Sequence, residues 1–325
     1  MKYINNSNDL SIFLNLDCIN DIPISNISID TRSIKKESLF IAIKGDKFNG
    51  NDFVEEAFKK GASIALVDDK RFVGTKDKKI IYVKNTIKAL KKISENIIKK
   101  YDGKVIAITG SNGKSSTTNI ISGILSNTAK TIGNFNNEIG MPLSIINASP
   151  KSRNIVMEIG ASKLGDIDYL SKILKPLIGV ITNIGNSHLE QLKNMEGVLN
   201  VKSELINNIK RGGNLIVPNE NVKHLSFWKR IRDDINIYTF GMNKSADFFA
   251  SKIRNKKGGM NFKISSKLID RDIEINTFLE GEHNIKNILA SYVIYHCLNK
   301  NPNDFAAKLN SKAIKNIRQI KSKWL

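Results

Sequence analysis

The residues best placed for chemistry lie in the stretch Ile106-Ala107-Ile108-Thr109-Gly110-Ser111-Asn112-Gly113-Lys114-Ser115-Ser116-Thr117-Thr118. An apolar run from Val105 reads as a buried strand, breaks at Gly110 and resumes as a helix from about Lys114. A strand, a glycine turn and a helix N-terminus make an anion cradle: backbone N–H groups converge, the helix dipole favours negative charge, and Lys114 adds a full positive charge. Ser115 supplies the hydroxyl expected on Mg²⁺ in such loops. The usual phosphate-loop pattern has a glycine five positions before the second glycine, where Ile108 stands, so this loop is a variant with its glycine at Gly110.

Other residues fall where the same sheet would present them. Glu158 closes the strand-like run Ile155-Val156-Met157-Glu158, and a carboxylate at a strand's C-terminal end beside a phosphate loop is placed to hold Mg²⁺ directly or through water. His188 lies in the polar segment Thr182-Asn183-Ile184-Gly185-Asn186-Ser187-His188, as a phosphate or metal contact or as a structural histidine. Lys202, on an expected helix, reads by itself as an ordinary solvated charge. In Gly281-Glu282-His283-Asn284, either His283 or Asn284 can cap the late helix, or the Asn284 amide can meet a base edge.

These residues require a scaffold. Residues 1–100 read as a small α/β unit, with strands at Ser38–Ile43, Ser63–Val67 and Ile80–Val83, a helix over Asn51–Lys60 stopped by Gly61, and a basic amphipathic helix over Thr86–Tyr101. Residues 101–314 read as a second unit whose first strand begins near Lys104. Its strands are expected at Val105–Thr109, Lys130–Ile132, Ile155–Glu158, Ile178–Thr182, Asn214–Val217 and Asn236–Thr239. Helices are expected at Lys114–Asn127, Asp166–Leu174, Gly197–Ile209 and Asn221–Arg232. This alternation predicts a mostly parallel sheet with ligands at the strands' carboxyl ends. Met260–Ile264 and Asp272–Phe278 read as an appended antiparallel pair, followed by helices at Glu282–Leu298 and from Asn303.

Composition narrows the function classes. The 325 residues carry a formal charge of +20, which raises the question of a nucleic-acid partner. The lysines are dispersed, no aromatic-interleaved basic stripe occurs, and abundant Lys, Asn and Ile suggest an A/T-biased coding pool. No nucleic-acid partner is expected, although a positive field attracts anionic substrates. Cys18 and Cys297 give neither a disulfide framework nor metal-ligand spacing. Neither a signal peptide nor a membrane-length apolar run is read, so a soluble cytoplasmic protein without membrane insertion is expected.

Taken together, Thr-Gly-Ser-Asn-Gly-Lys-Ser-Ser, the Glu158 strand, the His188 loop, the Lys202 segment and Gly-Glu-His-Asn resemble, in order and separation, the Mur ligases, ATP-dependent amide-forming enzymes of peptidoglycan precursor synthesis. Gly133-Asn134-Phe135-Asn136-Asn137-Glu138-Ile139-Gly140-Met141-Pro142-Leu143, Asp30-Thr31-Arg32-Ser33 and Phe48-Asn49-Gly50-Asn51 resemble the branch that adds D-alanyl-D-alanine to UDP-N-acetylmuramoyl-tripeptide.

The resemblance implies an N-terminal UDP-sugar-binding α/β domain and a central phosphate-loop ATPase domain, acting with ATP and Mg²⁺ as a monomer. It implies that Gly110, Ser111, Asn112, Gly113, Lys114, Ser115 and Ser116 hold ATP phosphates, and that Asn284 meets adenine. It places Ser115, Glu158, His188 and a carbamylated Lys202 about Mg²⁺, with Lys114, His188 and Lys202 in catalytic roles. Thr31, Arg32 and Asn49 would lie near the UDP-sugar, and Asn137 near the junction of substrate and ATP. The family has a third domain, so residues 315–325 are expected to begin a linker towards it, with Ser322-Lys323 where Gly-Arg is common. The 325 residues alone are then expected to ligate poorly. Competing readings are the Mur ligase adding the third amino acid, a folylpolyglutamate-type ligase, a non-catalytic nucleotide- or UDP-sugar-binding remnant, and a basic nucleic-acid-binding ATPase.

Overall fold

The computed structural model describes residues 3–17, 21–186, 192 and 194–309. His188, Cys18 and the expected linker at 315–325 lie outside them. The chain divides into two compact units, one of residues 1–102 and 138–152, the other of 103–137 and 153–325.

The first unit opens with α1 (Ser7–Leu14), capped by the Asn6 side chain, which accepts from the Asp9 N–H, and closed by Asn15 in the left-handed region. Strands β1 (Asn26–Ser28) and β2 (Ser38–Ile41) follow, then a 3-10 turn at Gly50–Phe53 that runs into α2 (Val54–Lys59). β3 (Ala62–Val67), β4 (Ile80–Tyr82) and α3 (Thr86–Lys100) complete the run. The four strands pair in parallel in sequence order. Their apolar residues pack with α2 in a core of Phe40, Ala42, Val54, Ala57, Ala65 and Val67.

Asp68, just past β3, ties this unit together. One carboxylate oxygen accepts from the Asn51 amide at 2.9 Å. The other accepts from the backbone N–H and hydroxyl of Thr86 at 3.1 and 3.0 Å, satisfying an orphan donor at the start of α3.

The second unit begins with β5 (Lys104–Thr109), α4 (Lys114–Ile124) and β6 (Thr128–Lys130). The chain then re-enters the first unit for α5 (Gly140–Ile146), where the Pro142 carbonyl accepts from Ser94 of α3 at 3.3 Å. It returns through β7 (Asn154–Glu158), α6 (Asp166–Leu174), β8 (Ile178–Ile181), α7 (Met195–Ser203), β9 (Asn214–Pro218), α8 (Val222–Ile231) and β10 (Asn236–Gly241). β11 (Phe248–Lys256), β12 (Gly259–Ser266), β13 (Ile273–Thr277), α9 (Glu282–Cys297) and α10 (Pro302–Leu309) close the described chain.

The sheet order is β13-β12-β11-β10-β9-β8-β5-β7-β6. β6 to β11 pair in parallel, while β11, β12 and β13 pair antiparallel. A parallel sheet must be covered on both faces. α4 and α9 bury one face with Ile120, Ile121, Ile124, Ile288, Leu289 and Tyr292, and Trp228 of α8 seals a second cluster with Leu199 and Leu215.

Several sequence expectations shift. The helix expected over Lys114–Asn127 stops at Ile124, and the strand expected at Lys130–Ile132 sits at Thr128–Lys130. The helix expected over Gly197–Ile209 is α7 followed by a 3-10 turn at Glu204–Asn208. α1, β1, α5 and β11 were not foreseen. No helix among the described residues is long and apolar enough to cross a membrane.

Asp68→Ala should destabilise the protein by about 1–3 kcal/mol, the range for a buried-side hydrogen-bond hub losing its acceptor. Denaturant unfolding followed by circular dichroism measures this, and an unchanged midpoint would contradict the role given to Asp68.

Candidate nucleotide site

The turn between β5 and α4 is fixed by conformations that need glycine. Gly110 has φ +144°, and a Cβ there would lie 2.0 Å from the Thr182 hydroxyl. Gly113, the N-cap of α4, has φ +82°, and a Cβ there would lie 2.4 Å from the Asn287 side-chain oxygen. A side chain at either position meets backbone strain and a collision together.

The loop that follows β8 braces this turn. Asn183 accepts from the Asn112 N–H with its side-chain oxygen at 2.8 Å and from the Ser111 N–H with its carbonyl at 3.2 Å. The Ser111 hydroxyl donates to the Gly185 carbonyl at 2.9 Å and accepts from the Gly185 N–H at 3.0 Å. The Thr182 hydroxyl donates to the Asn112 carbonyl. From α9, Asn287 accepts from the Thr117 hydroxyl at 3.4 Å.

Lys114 starts α4, and its Nζ donates to the carbonyls of Gly110 at 2.8 Å and Ser111 at 3.2 Å. Burial lowers its pKa, and the nearby Glu158 carboxylate opposes that shift.

Glu158 is 3% exposed at the end of β7. One carboxylate oxygen accepts from the Ser115 hydroxyl at 2.7 Å, the other from the Asn136 amide at 2.8 Å. Its own N–H donates to the Thr131 hydroxyl at 2.7 Å. A buried carboxylate needs this kind of paired and hydrogen-bonded setting. Gly160 is small because Asn136 lies against it: a Cβ there would be 2.7 Å from the Asn136 side-chain oxygen. Ser115 and Glu158 offer hydroxyl and carboxylate oxygen, a donor set that suits a hard cation taking most of its shell from phosphates and water. Among the described residues no cluster of three or more His, Cys, Asp or Glu side chains could hold a metal by itself.

Lys202 is not a solvated charge. It is 1% exposed on α7. Burial, reinforced by the positive charge of Lys114, pulls its pKa down to about 8, against the opposing pull of Asp166 and Glu204. Glu204 itself accepts from the N–H groups of Gly165 and Asp168 at 2.7 and 3.0 Å, and so caps α6.

Asn284 is half-buried in the first turn of α9, with its amide donating to the Glu280 carbonyl at 2.7 Å. Gly281 is the N-cap, with no side-chain cap, so neither His283 nor Asn284 plays the capping role expected of them.

In the first unit, Thr31 donates to Glu56 at 3.0 Å, and Asp30 caps the Thr31–Ser33 turn and pairs with the exposed Arg32. Asn49 accepts from the N–H and amide of Asn51 at 3.1 and 2.8 Å. Asn137 is exposed where the chain leaves the second unit for the first.

The site therefore gathers Gly110–Ser116 and Glu158 at the adjacent carboxyl ends of β5 and β7, with Lys202 close enough for Lys114 to depress its pKa. Asn136, Thr182, Asn183 and Asn287 join them as bracing residues that sequence reasoning missed. Asn136, Thr182 and Asn183 each lay inside a segment that the sequence singled out for a neighbouring residue, Asn137 or His188, whereas Asn287 carried no such signal.

A parallel sheet with a glycine-lysine turn at its rim, a buried strand-end carboxylate and a buried lysine defines a phosphate-loop nucleotide domain, and comparison specifies it further. Residues 108–295 match the Mur ligase middle domain, and residues 23–100 match the Mur ligase family catalytic domain; the chain belongs to the Mur ligase family. The UDP-N-acetylmuramoyl-tripeptide--D-alanyl-D-alanine ligase of Buchnera aphidicola is 36% identical over 92% of this chain and 65% of its own length. A crystal structure of MurF from Acinetobacter baumannii superposes with a TM-score of 0.83 at 27% identity, covering 93% of this chain and 67% of that one. MurF from Thermotoga maritima, solved in complex with ADP, gives 0.77 at 26% identity over 87% of this chain and 65% of that one. The chain spans less than two thirds of the length of the curated relatives it matches.

The buried Lys202 sets a pH signature. The folded protein releases this proton near pH 8, whereas the unfolded chain keeps it to about 10.5. The unfolded state thus holds more protons between those values, and stability rises with pH across that window. The protein should gain stability relative to Lys202→Met between pH 8 and 10.5 in denaturant titrations. A difference constant with pH would contradict the depressed pKa.

Proposed function

We propose that this protein acts in an ATP-dependent amide-bond ligation that adds D-alanyl-D-alanine to UDP-N-acetylmuramoyl-tripeptide, in the cytoplasm. The observation that carries the reading is the Gly110–Ser116 cradle with Glu158 bound to Ser115 at the same end of the sheet. It is supported by relatives of that name at 30–36% identity. The MurF–ADP complex among the structural neighbours supports ATP as the nucleotide.

The chemistry follows from the site. A peptide carboxylate is a poor electrophile. Transfer of the ATP γ-phosphoryl group to one of its oxygens forms an acyl phosphate and releases ADP. The dipeptide amine then attacks the acyl carbon, loses a proton and expels phosphate. Loop N–H groups and Lys114 hold and neutralise the phosphates as charge shifts among their oxygens. Ser115 and Glu158 are the residues that would hold Mg²⁺, which when bound supplies further charge neutralisation at the phosphate oxygens. Asn284 lies in the first turn of α9, where its amide can serve the adenine edge. Thr31, Arg32 and Asn49 are assigned to the UDP-sugar, Asn137 to the passage between the two ligands, and His188 to the metal and phosphates.

Lys202 has a chemical reason to be carbamylated. With a pKa near 8 it is partly neutral at physiological pH, so its amine can add to CO₂ with loss of one proton. A buried cation beside Lys114 then becomes an anion beside Lys114, turning repulsion into attraction.

A diaminopimelate-adding ligase and the FPGS of L. casei among the structural neighbours are 16% and 15% identical, against 26–28% for the MurF structures. With ATP, Mg²⁺ and UDP-N-acetylmuramoyl-tripeptide supplied, phosphate release should depend on D-alanyl-D-alanine. Release that follows a free diamino acid instead would overturn the reading. Lys114→Ala should weaken binding of a non-hydrolysable ATP analogue by about 10- to 100-fold, the worth of one charge-assisted contact. Calorimetry measures it, and unchanged affinity would remove Lys114 from the cradle.

A further inference from the structure

The second unit contains a 380 Å³ cavity at the opposite end of the sheet from the phosphate loop. Lys104, the first residue of β5, lines it, as do Arg153 and Asn154 at the start of β7. Gly110 follows the other end of β5, six strand residues away, or about 20 Å at the usual rise per residue. The cavity is therefore separate from the nucleotide cradle.

Its charge is one-sided. Lys104, Arg153, Lys300 and Lys308 line it, with Asp304 as the lone acid. None of these five side chains forms an ion pair among the described residues. An ordinary explanation for cations here is the C-terminal ends of α4 and α9, which also reach the cavity. Each helix end carries only about half a negative charge, so with Asp304 counted about two positive charges remain uncompensated.

The wall is also built rather than incidental. Asn127 adopts φ +51°, and its carbonyl accepts from the Arg153 N–H at 2.7 Å. The Arg153 carbonyl in turn accepts from the Lys104 N–H at 3.1 Å. Beyond α9, Asn299 at φ +53° turns the chain so that the Lys300 N–H reaches the Tyr295 carbonyl at 3.3 Å. Asparagine tolerates this left-handed backbone better than other side chains. The backbones of three of the four cations are thus fixed, while Ile124, Leu125 and Leu298 supply an apolar floor.

We propose that this cavity binds a small polyanion of the phosphate or polycarboxylate type. Its volume falls in the range of small-molecule sites, and its surplus charge, carried by exposed side chains around the mouth, favours an anion of about two charges. The proposal does not rest on the ligase reading.

Binding of inorganic pyrophosphate and of citrate is measured by calorimetry in about 0.15 M salt, in a Lys114→Ala background that weakens the phosphate loop. At least one should bind saturably, and Arg153→Glu with Lys300→Glu should weaken that binding at least tenfold without lowering the melting temperature. If the charge reversal unfolds the protein, Arg153→Gln with Lys300→Gln should give a loss of about fivefold or more. Pyrophosphate binding without citrate assigns a phosphate-bearing ligand; the converse assigns a carboxylate. Saturation by neither, or affinity indifferent to Arg153 and Lys300, overturns the proposal.

Discussion

The site depends on keeping one buried carboxyl group fully hydrogen-bonded at the end of a strand. Parallel pairing of β5 with β7 sets Ile108 opposite Glu158, so the last residue of β7 ends beside the turn that β5 feeds. There the Glu158 carboxylate is almost wholly buried, which is tolerable only because Ser115 and Asn136 each donate to it and Lys114 lies near. The partners come from two separate places in the chain: Lys114 and Ser115 from the first turn of α4, and Asn136 from the segment after β6. Losing the register would leave buried polar atoms without partners, so the strand order and the chemistry are the same constraint viewed at two scales.

A half-buried lysine and a fully buried one share that neighbourhood, and each bears on the other. Lys114 is held against the loop carbonyls and remains near Glu158; Lys202 has no ion pair among the described residues, and Lys114 adds to its cost of being charged. The pair leaves one lysine tied to the loop carbonyls and the other a group inclined to shed its proton. That division follows from their surroundings rather than from residue type: Glu158 offsets part of the burial cost of Lys114, whereas Lys114 adds to that of Lys202.

The loop was legible in the sequence because its meaning is local. Glycines at 110 and 113 and a lysine at 114 declare a turn and a helix start within a few residues, and Glu158 was legible because a charge ending an apolar strand is conspicuous. Asn136, Thr182, Asn183 and Asn287 were hidden because their partners arrive through the sheet order. α5 was hidden because it is buried all round and contains Gly140 and Pro142, so it has no helical period to read. β11 was hidden because its second half, Lys252-Ile253-Arg254-Asn255-Lys256, is exposed and mostly polar, with no apolar alternation to read. The burial of Lys202 is likewise a tertiary fact, since its neighbours in sequence are those of any amphipathic helix.

The central claim is that Ser115 and Glu158 together with the Gly110–Ser116 turn form a metal–nucleotide cradle. Comparing the affinity of ADP with and without Mg²⁺ in the protein and in Glu158→Gln tests it most directly. The account predicts that the substitution removes most of the Mg²⁺-dependent gain, about tenfold or more, while affinity for metal-free ADP changes less than about threefold. Equal Mg²⁺ dependence in both proteins would contradict it.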